Sequence, residues 1–169
     1  MDVPFHQPPQ LARSNGIDVC YEIFGAPDAE PMILIMGLAA QMIHWDDEFC
    51  QQLALRGFRV IRFDNRDVGR SSKLTGGGPL TPAELLKFRF LRIPVAAPYK
   101  LLDMADDVVG IMDGLGMQSA HLVGASMGGM IAQEIAINYP QRVRALISIL
   151  KGASQTFQRS FYLLPANSS

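Results

Sequence analysis

The amino-acid sequence predicts an α/β fold in which helices cover both faces of a twisted, mostly parallel sheet. Continuous apolar runs, such as P-M-I-L-I-M at residues 31–36, indicate central strands that are covered on both faces. These runs alternate along the chain with segments whose apolar residues recur every three or four positions, as on amphipathic helices. Because strands that alternate with helices favour parallel pairing, this order predicts the fold class.

Composition limits the classes of protein to which the chain can belong. Its 169 residues are 49% hydrophobic and 18% charged, which is typical of one globular domain with a sizeable core. The formal net charge of −1 gives no reason to expect nucleic acid or a membrane as a partner. Cys20 and Cys50 are too few for a disulfide framework or a metal site, so we expect two reduced, buried thiols. No signal-peptide pattern is visible, and we expect a cytoplasmic protein.

The segments divide into a loose N-terminus at residues 1–12, a core at residues 13–150 and a tail at residues 151–169. Asn15-Gly16 lies between two strand-like runs, which predicts a hairpin over residues 13–24. Four more strands are predicted at residues 31–36, 58–63, 120–124 and 145–150. Helices are predicted at residues 46–56, 83–92, 103–115 and 127–139.

Capping residues set the expected ends of two helices. Trp45, Phe49 and Leu53 have the spacing of one apolar helix face, and Gly57 is placed as the stop of that helix. Asp103 is the predicted N-cap of the helix over residues 103–115, because a short acidic side chain can accept the free N–H groups of a first turn.

The strongest chemical signal is the sequence G-A-S-M-G at residues 124–128. A buried strand precedes it, and a helix with small residues on one face follows it. This context is typical of a nucleophile elbow, in which Gly124 and Gly128 leave room for a tight turn that exposes the Ser126 hydroxyl. The helix N-terminus beside the serine favours negative charge that develops there. We therefore expect Ser126 to be a nucleophile.

Three motifs together resemble those of the α/β-hydrolase fold family over roughly residues 13–150. They are M-G-L-A-A-Q-M-I-H-W after the first central strand, F-D-N-R-D-V-G-R-S-S after the next, and V-G-A-S-M-G-G-M-I-A-Q at Ser126. The combination is most similar to bacterial esterases of the aclacinomycin methylesterase type, with enol-lactonases and cofactor-free haloperoxidases nearby. The tail at residues 151–169 does not resemble the family.

The resemblance implies roles for particular residues. Ser126 would attack the substrate, and the backbone N–H groups of Leu38 and Met127 would form the oxyanion hole. Two such donors are worth roughly 3–4 kcal/mol of barrier each in other enzymes. Asp64, Arg66 and Gly69 would form a structural, ion-paired turn beside the site.

The implied activity is hydrolysis of a carboxylic ester or lactone through an acyl-serine intermediate, without a metal or an organic cofactor. The small-molecule ester or lactone is the expected substrate. Perhydrolysis of carboxylic acids, as in cofactor-free haloperoxidases, uses the same groups and stays open as an alternative.

The general base and acid are not visible. In this fold both follow the nucleophile in the order Ser, Asp/Glu, His, yet residues 151–169 contain no Asp, Glu or His. His6, His44 and His121 all precede Ser126, and we expect none of them to be the base. The sequence thus leaves two hypotheses open, a shortened and nearly inactive serine hydrolase or a non-catalytic binding protein. In either case an apolar strand at residues 145–150 is expected at a sheet edge, where it favours self-association.

Overall fold

The structure is a computed structural model that describes residues 6–74 and 98–149. Within these residues, six strands form one sheet in the order β1-β2-β4-β3-β5-β6. The predicted helix at residues 83–92 and the tail at residues 151–169 lie outside the described part. The strands are β1 (His6–Ser14), β2 (Ile17–Phe24), β3 (Glu30–Ile35), β4 (Phe58–Phe63), β5 (Ala120–Ala125) and β6 (Val143–Ile149). The helices are α1 (Asp47–Ala54), α2 (Leu101–Gly114) and α3 (Met127–Asn138).

The sheet is mostly parallel, as the sequence predicts. Strands β4, β3, β5 and β6 run parallel, whereas β1 and β2 pair antiparallel with each other, and β2 pairs antiparallel with β4. Strands β3 and β5 lie in the interior, and β6 lies beside β5. The predicted positions of all three strands are therefore confirmed.

The hairpin of β1 and β2 turns at Asn15 and Gly16. Their φ angles are 44° and 80°, and two left-handed residues are what a type I′ turn requires. However, β1 begins at His6, so the expectation of a loose segment over residues 1–12 is wrong from residue 6 onward. The two prolines at 8 and 9 fall in a register shift between Gln7 and Gln10, where a missing N–H group does not interrupt the ladder.

The helices pack on the two faces of the sheet. Side chains from α2 and α3 cover one face, where they form one apolar cluster with Ile33 and Leu122, whereas Cys50 of α1 lies on the other face with Leu34. Adjacent residues such as Ile33 and Leu34 point to opposite faces, as the strand period of two requires. The sheet is thus covered on both sides by the described helices.

The start of α2 differs from the prediction. The helix begins at Leu101, and Lys100 rather than Asp103 occupies the N-cap position. The Asp103 carboxylate reaches back and accepts the Lys100 backbone N–H at 2.6 Å. A carboxylate in the third helical position accepts the N–H of the N-cap residue, whereas an N-cap carboxylate accepts an N–H of the first turn. An aspartate near a helix start fits either position, so the local sequence did not separate the two arrangements.

Candidate functional site

Ser126 occupies the turn between β5 and α3. Its φ and ψ angles are 53° and −121°, a combination that side chains rarely adopt and that costs on the order of 1–3 kcal/mol. Two hydrogen bonds hold it there: its N–H donates to the Ile149 carbonyl at 2.8 Å, and its carbonyl accepts the Gly129 N–H at 2.9 Å. The side chain is exposed at the end of the sheet. The strand–turn–helix that the sequence predicts around Ser126 is therefore present.

Two glycines make this turn possible. A Cβ atom on Gly124 would lie within 3.0 Å of the Gly128 backbone, and one on Gly128 would lie within 3.0 Å of the Ile35 backbone. Contacts that short essentially never occur, so neither position accepts a side chain without movement of the backbone. Because these two glycines have no side chains, α3 can begin directly against β5 and β3.

The loop after β3 lies next to the serine. A Cβ atom on Gly37 would be 3.1 Å from Ser126 Cβ and 3.6 Å from Ser126 Oγ. Leu38 follows with 76% of its surface exposed, and Ala39 has a left-handed φ of 56°. The Ala40 N–H donates to the Gly37 carbonyl at 3.4 Å, which closes a tight turn. The backbone at Leu38 thus runs beside Ser126.

The loop after β4 contains the polar residues that were expected to form an ion-paired turn. The Asp64 carboxylate accepts the N–H groups of Met42 at 2.8 Å and Arg70 at 3.0 Å. Arg66 pairs instead with Asp107 of α2, through two contacts of 2.7 Å. The ion pair therefore exists, but it joins the loop to a helix, and Asp64 serves as an acceptor for backbone groups.

Burial and hydrogen bonding shift the pKa values of several groups in this part of the structure. Burial raises the pKa of the Asp107 carboxyl, and the hydrogen bonds from Arg66 oppose that rise. The hydrogen bond with Asp107 raises the pKa of the Arg66 guanidinium. Burial also raises the pKa of the Cys50 thiol to about 11, so the thiol stays protonated at neutral pH. Cys20 and Cys50 are both free and buried, as the sequence predicts.

Sequence reasoning missed two buried polar residues that lie close to the site. Asn65 donates a hydrogen bond to the Met36 carbonyl at 2.9 Å, directly before Gly37. Arg62 is 2% exposed and forms an ion pair with Glu22 of β2. A charged residue within the apolar run of β4 was the signal for a buried ion pair, but its partner lies forty positions away.

Two of the three histidines lie in local contacts of their own. His6 stacks on Phe24 with ring centroids 4.1 Å apart, and its Nε2 lies 3.9 Å from the Glu22 carboxylate. His44 Nδ1 lies 3.0 Å from the Gln41 carbonyl. The second contact lies within the loop that follows β3.

His121 stands at the opposite end of β5 from Ser126. The two are five positions apart along the strand, or about 16 Å at the usual rise per residue. Its Nε2 lies 3.1 Å from the Glu30 carboxylate. Within residues 6–74 and 98–149, no side chain or backbone group forms a hydrogen bond with Ser126 Oγ.

Two features are absent from the described residues. No cluster of three or more His, Cys, Asp or Glu side chains is arranged to hold a metal ion in this part of the chain. Likewise, none of the described helices has the length and apolar character needed to cross a membrane.

Known proteins are similar to this chain in sequence and in fold. Rhodomycin D methylesterase DnrP of Streptomyces peucetius is 31% identical over 146 residues, which cover 86% of this chain and 43% of that protein. A solved hydrolase from Pseudomonas aeruginosa PA01 is 27% identical with a TM-score of 0.64, over 86% of this chain and 48% of that one. Est816, described as an N-acyl homoserine lactone degrading enzyme, is 26% identical with a TM-score of 0.62, over 83% and 44%. The chain thus spans less than half the length of each of these relatives.

A family model described as the alpha/beta hydrolase fold matches residues 30–165. The match continues past residue 150, where the motifs placed the end of the resemblance, and includes most of the tail. Since it covers more than half of the sequence, the chain belongs to the alpha/beta hydrolase fold family.

Proposed function

We propose that the protein is a serine hydrolase that cleaves carboxylic esters or lactones through an acyl-Ser126 intermediate. The observation that carries the proposal is the exposed Ser126 in a left-handed conformation, at the start of a 12-residue helix and beside Gly37. A helix N-terminus at this point favours the negative charge of an oxyanion. The names of the methylesterase and of the lactone-degrading enzyme support the substrate class.

The proposed reaction has two acyl-transfer steps. Ser126 Oγ attacks the carbonyl carbon while a base takes its proton, and the N–H groups of Leu38 and Met127 donate to the resulting oxyanion. Collapse breaks the ester bond, and the leaving alcohol takes the proton from the base. Water then attacks the acyl-serine by the same route and releases the acid. Only protons and an acyl group move, so the steps call for no metal or organic cofactor.

We further propose that the general base and its acid belong to a C-terminal segment, which the relatives have and which this chain does not cover. In this fold both follow the nucleophile, and no histidine follows Ser126 in the sequence. The 169-residue chain alone would then keep only the contribution of the oxyanion hole. Loss of the other triad members lowers rates on the order of 10⁴–10⁶-fold in other serine hydrolases.

A hybrid protein tests these assignments. Residues 1–149 of this chain would be joined to the C-terminal part of the Streptomyces peucetius methylesterase, and turnover of short p-nitrophenyl esters would be measured. We expect turnover in the hybrid, a loss on the order of 10⁴-fold or more with Ser126→Ala, and little turnover by the 169-residue chain. Ser119→Ala is the matched control, since Ser119 directly precedes the first residue of β5 and Ser126 follows the last. Full turnover by the Ser126→Ala hybrid would refute the nucleophile assignment.

The same hybrid distinguishes ester hydrolysis from the two alternatives, perhydrolysis and non-catalytic binding. Perhydrolysis predicts peracid formation from carboxylic acids and hydrogen peroxide at a rate that exceeds ester hydrolysis. A non-catalytic binding protein predicts neither turnover nor labelling of Ser126 by a fluorophosphonate probe. Labelling that disappears with Ser126→Ala supports the hydrolase in preference to the binding protein.

The proposal includes the setting in which the protein works. We propose a location in the cytoplasm, because its reducing conditions keep thiols such as these two free. The net charge of −1 gives no electrostatic reason for a nucleic-acid or membrane partner. We propose that copies of the chain associate through β6, which pairs only with β5 among the described strands and ends at the half-exposed Ile149. Size-exclusion chromatography tests this part, and a sharp monomer peak at tens of micromolar would contradict it.

A further inference from the structure

The loop over residues 36–45, which carries Leu38, is held at three points by side chains from the end of β4. Asn65 Nδ2 donates to the Met36 carbonyl at 2.9 Å. The Asp64 carboxylate accepts the Met42 N–H at 2.8 Å. The Arg62 guanidinium donates to the Trp45 carbonyl. The two ends and the middle of the 36–45 loop are therefore each fixed by a different residue of one short segment.

All three side chains are buried. Arg62 and Asn65 are 2% exposed and Asp64 is 3% exposed, so water does not compete for these hydrogen bonds. The charge of Arg62 is balanced by Glu22 and by Asp47, whose carboxylate lies 2.6 Å away. Buried polar groups without partners cost about 1–3 kcal/mol each, so these bonds strongly favour one loop position.

Met36, Met42 and Trp45 are themselves buried, but among the described residues the stretch around Leu38 between them has little else to hold it. Its only internal support near Leu38 is the 3.4 Å hydrogen bond from the Ala40 N–H to the Gly37 carbonyl, and Ala39 between them is left-handed. The exposed Leu38 side chain contributes little packing. The Gly37 carbonyl and the Leu38 N–H belong to one planar peptide unit and point in opposite directions. Whatever fixes that plane therefore also fixes the direction of the Leu38 N–H.

We propose that Arg62, Asp64 and Asn65 are positioning residues, which orient the Leu38 N–H toward the oxyanion through the 36–45 loop. The inference rests on the proposed oxyanion role of Leu38. Asn65 has the most direct effect, because the carbonyl that it binds is two residues before Leu38. None of the three touches the substrate, and each acts only through the loop backbone.

Hydrogen–deuterium exchange of the 169-residue chain at low micromolar concentration tests the proposal. Asn65→Leu keeps the branched shape of the side chain and removes the donor to Met36. We expect exchange in peptides that cover residues 36–46 to become about tenfold faster, the factor that one ordinary buried hydrogen bond supplies. Peptides from β3 and β5 should keep their rates. Trp45 is the single tryptophan and is 8% exposed, so quenching of its fluorescence by acrylamide should increase as well.

Arg66→Lys is the matched control, because Arg66 is the next residue and is 6% exposed, but its partners lie in α2. It should accelerate exchange in α2 and leave residues 36–46 unchanged. If Asn65→Leu does not fold, Asn65→Ala replaces it. A lower melting temperature with exchange at residues 36–46 within twofold of the parent would overturn the proposal. These measurements use no turnover, so their failure would leave the Ser126 assignment to be decided separately by the hybrid.

Discussion

The contact between Gly129 of α3 and Ser148 of β6 gives a sharp test of how α3 is seated beneath Ser126. A Cβ atom on Gly129 would lie closer than 3.0 Å to Ser148 Oγ, whereas Ser148 Cβ and the Gly124 carbonyl oxygen would each be 3.3 Å away. The Ser148 hydroxyl is buried and has no hydrogen-bond partner among the described residues. One oxygen atom is thus the main obstacle to a side chain at position 129.

We therefore expect the effect of Gly129→Ala to depend on position 148. Overpacking costs about 1–3 kcal/mol, while alanine is favoured over glycine in a helix by about 1 kcal/mol. In the parent, Gly129→Ala should lower the free energy of unfolding by about 1 kcal/mol. In the Ser148→Ala background the oxygen is absent, and the same change should be neutral or stabilising. The expected coupling between the two sites is about 1–3 kcal/mol.

Urea unfolding measures this coupling through a double-mutant cycle. Trp45 fluorescence at low micromolar concentration reports unfolding, since Trp45 is buried and is the single tryptophan. Gly114→Ala is the control, because a Cβ atom there meets nothing within 4 Å, and it should stabilise by up to about 1 kcal/mol in both backgrounds. Additivity of Gly129→Ala and Ser148→Ala within about 0.5 kcal/mol would refute the packing argument.

Three further changes have expected outcomes. Ser126→Gly should raise the melting temperature, because glycine adopts the positive φ angle of 53° without strain; a lower melting temperature would contradict this. Arg62→Met leaves Glu22 buried without its partner and should cost about 3–5 kcal/mol in urea unfolding, whereas a cost below about 1 kcal/mol would show that water reaches the site. The hydrogen bond from Arg144 lowers the pKa of Glu30 below 4.5, so the stability it contributes is present above pH 4.5 and is lost as pH falls through the lowered pKa. Glu30→Gln should therefore be less stable than the parent at pH 7, and the difference should shrink as pH falls through the lowered pKa; a difference independent of pH would refute the assignment.

The sequence predicted the parts of the fold that depend on local patterns. Strand β4 has the predicted bounds, and Gly57 follows α1 with a left-handed φ angle of 89°, as expected of a helix stop. The spacing of Trp45, Phe49 and Leu53 suggested the buried face of α1, yet Phe49 is 42% exposed and Cys50 is fully buried. That helix has only eight residues, too few for periodicity to identify its buried face, which is determined by packing against the sheet.

The candidate site likewise has a part that the sequence predicted and a part that it did not. The turn at Ser126 was predictable, because its glycines and its helix lie within a few residues of one another. The partners of Arg62 and Arg66 were not, because they are 40 and 41 positions away in sequence. A pattern of single residues contains no information about which distant element a buried charge will meet, so the sequence suggested an ion pair and placed it within the wrong element.

The register of the parallel strands explains why three distant segments meet at this site. Ile35 of β3 pairs with Gly124 of β5, so Gly37 and Ser126 each lie two residues beyond a matched pair, on strands about 4.8 Å apart. Leu34 likewise pairs with Arg62, which places the segment after β4 level with the start of the 36–45 loop. In a parallel sheet every strand ends at the same edge, so pairing of the core alone brings these loops together. A one-residue slip of β3 would therefore separate Gly37 from Ser126 and would also turn the buried isoleucines of β3 to the opposite face, so the packing of the core protects the geometry of the site.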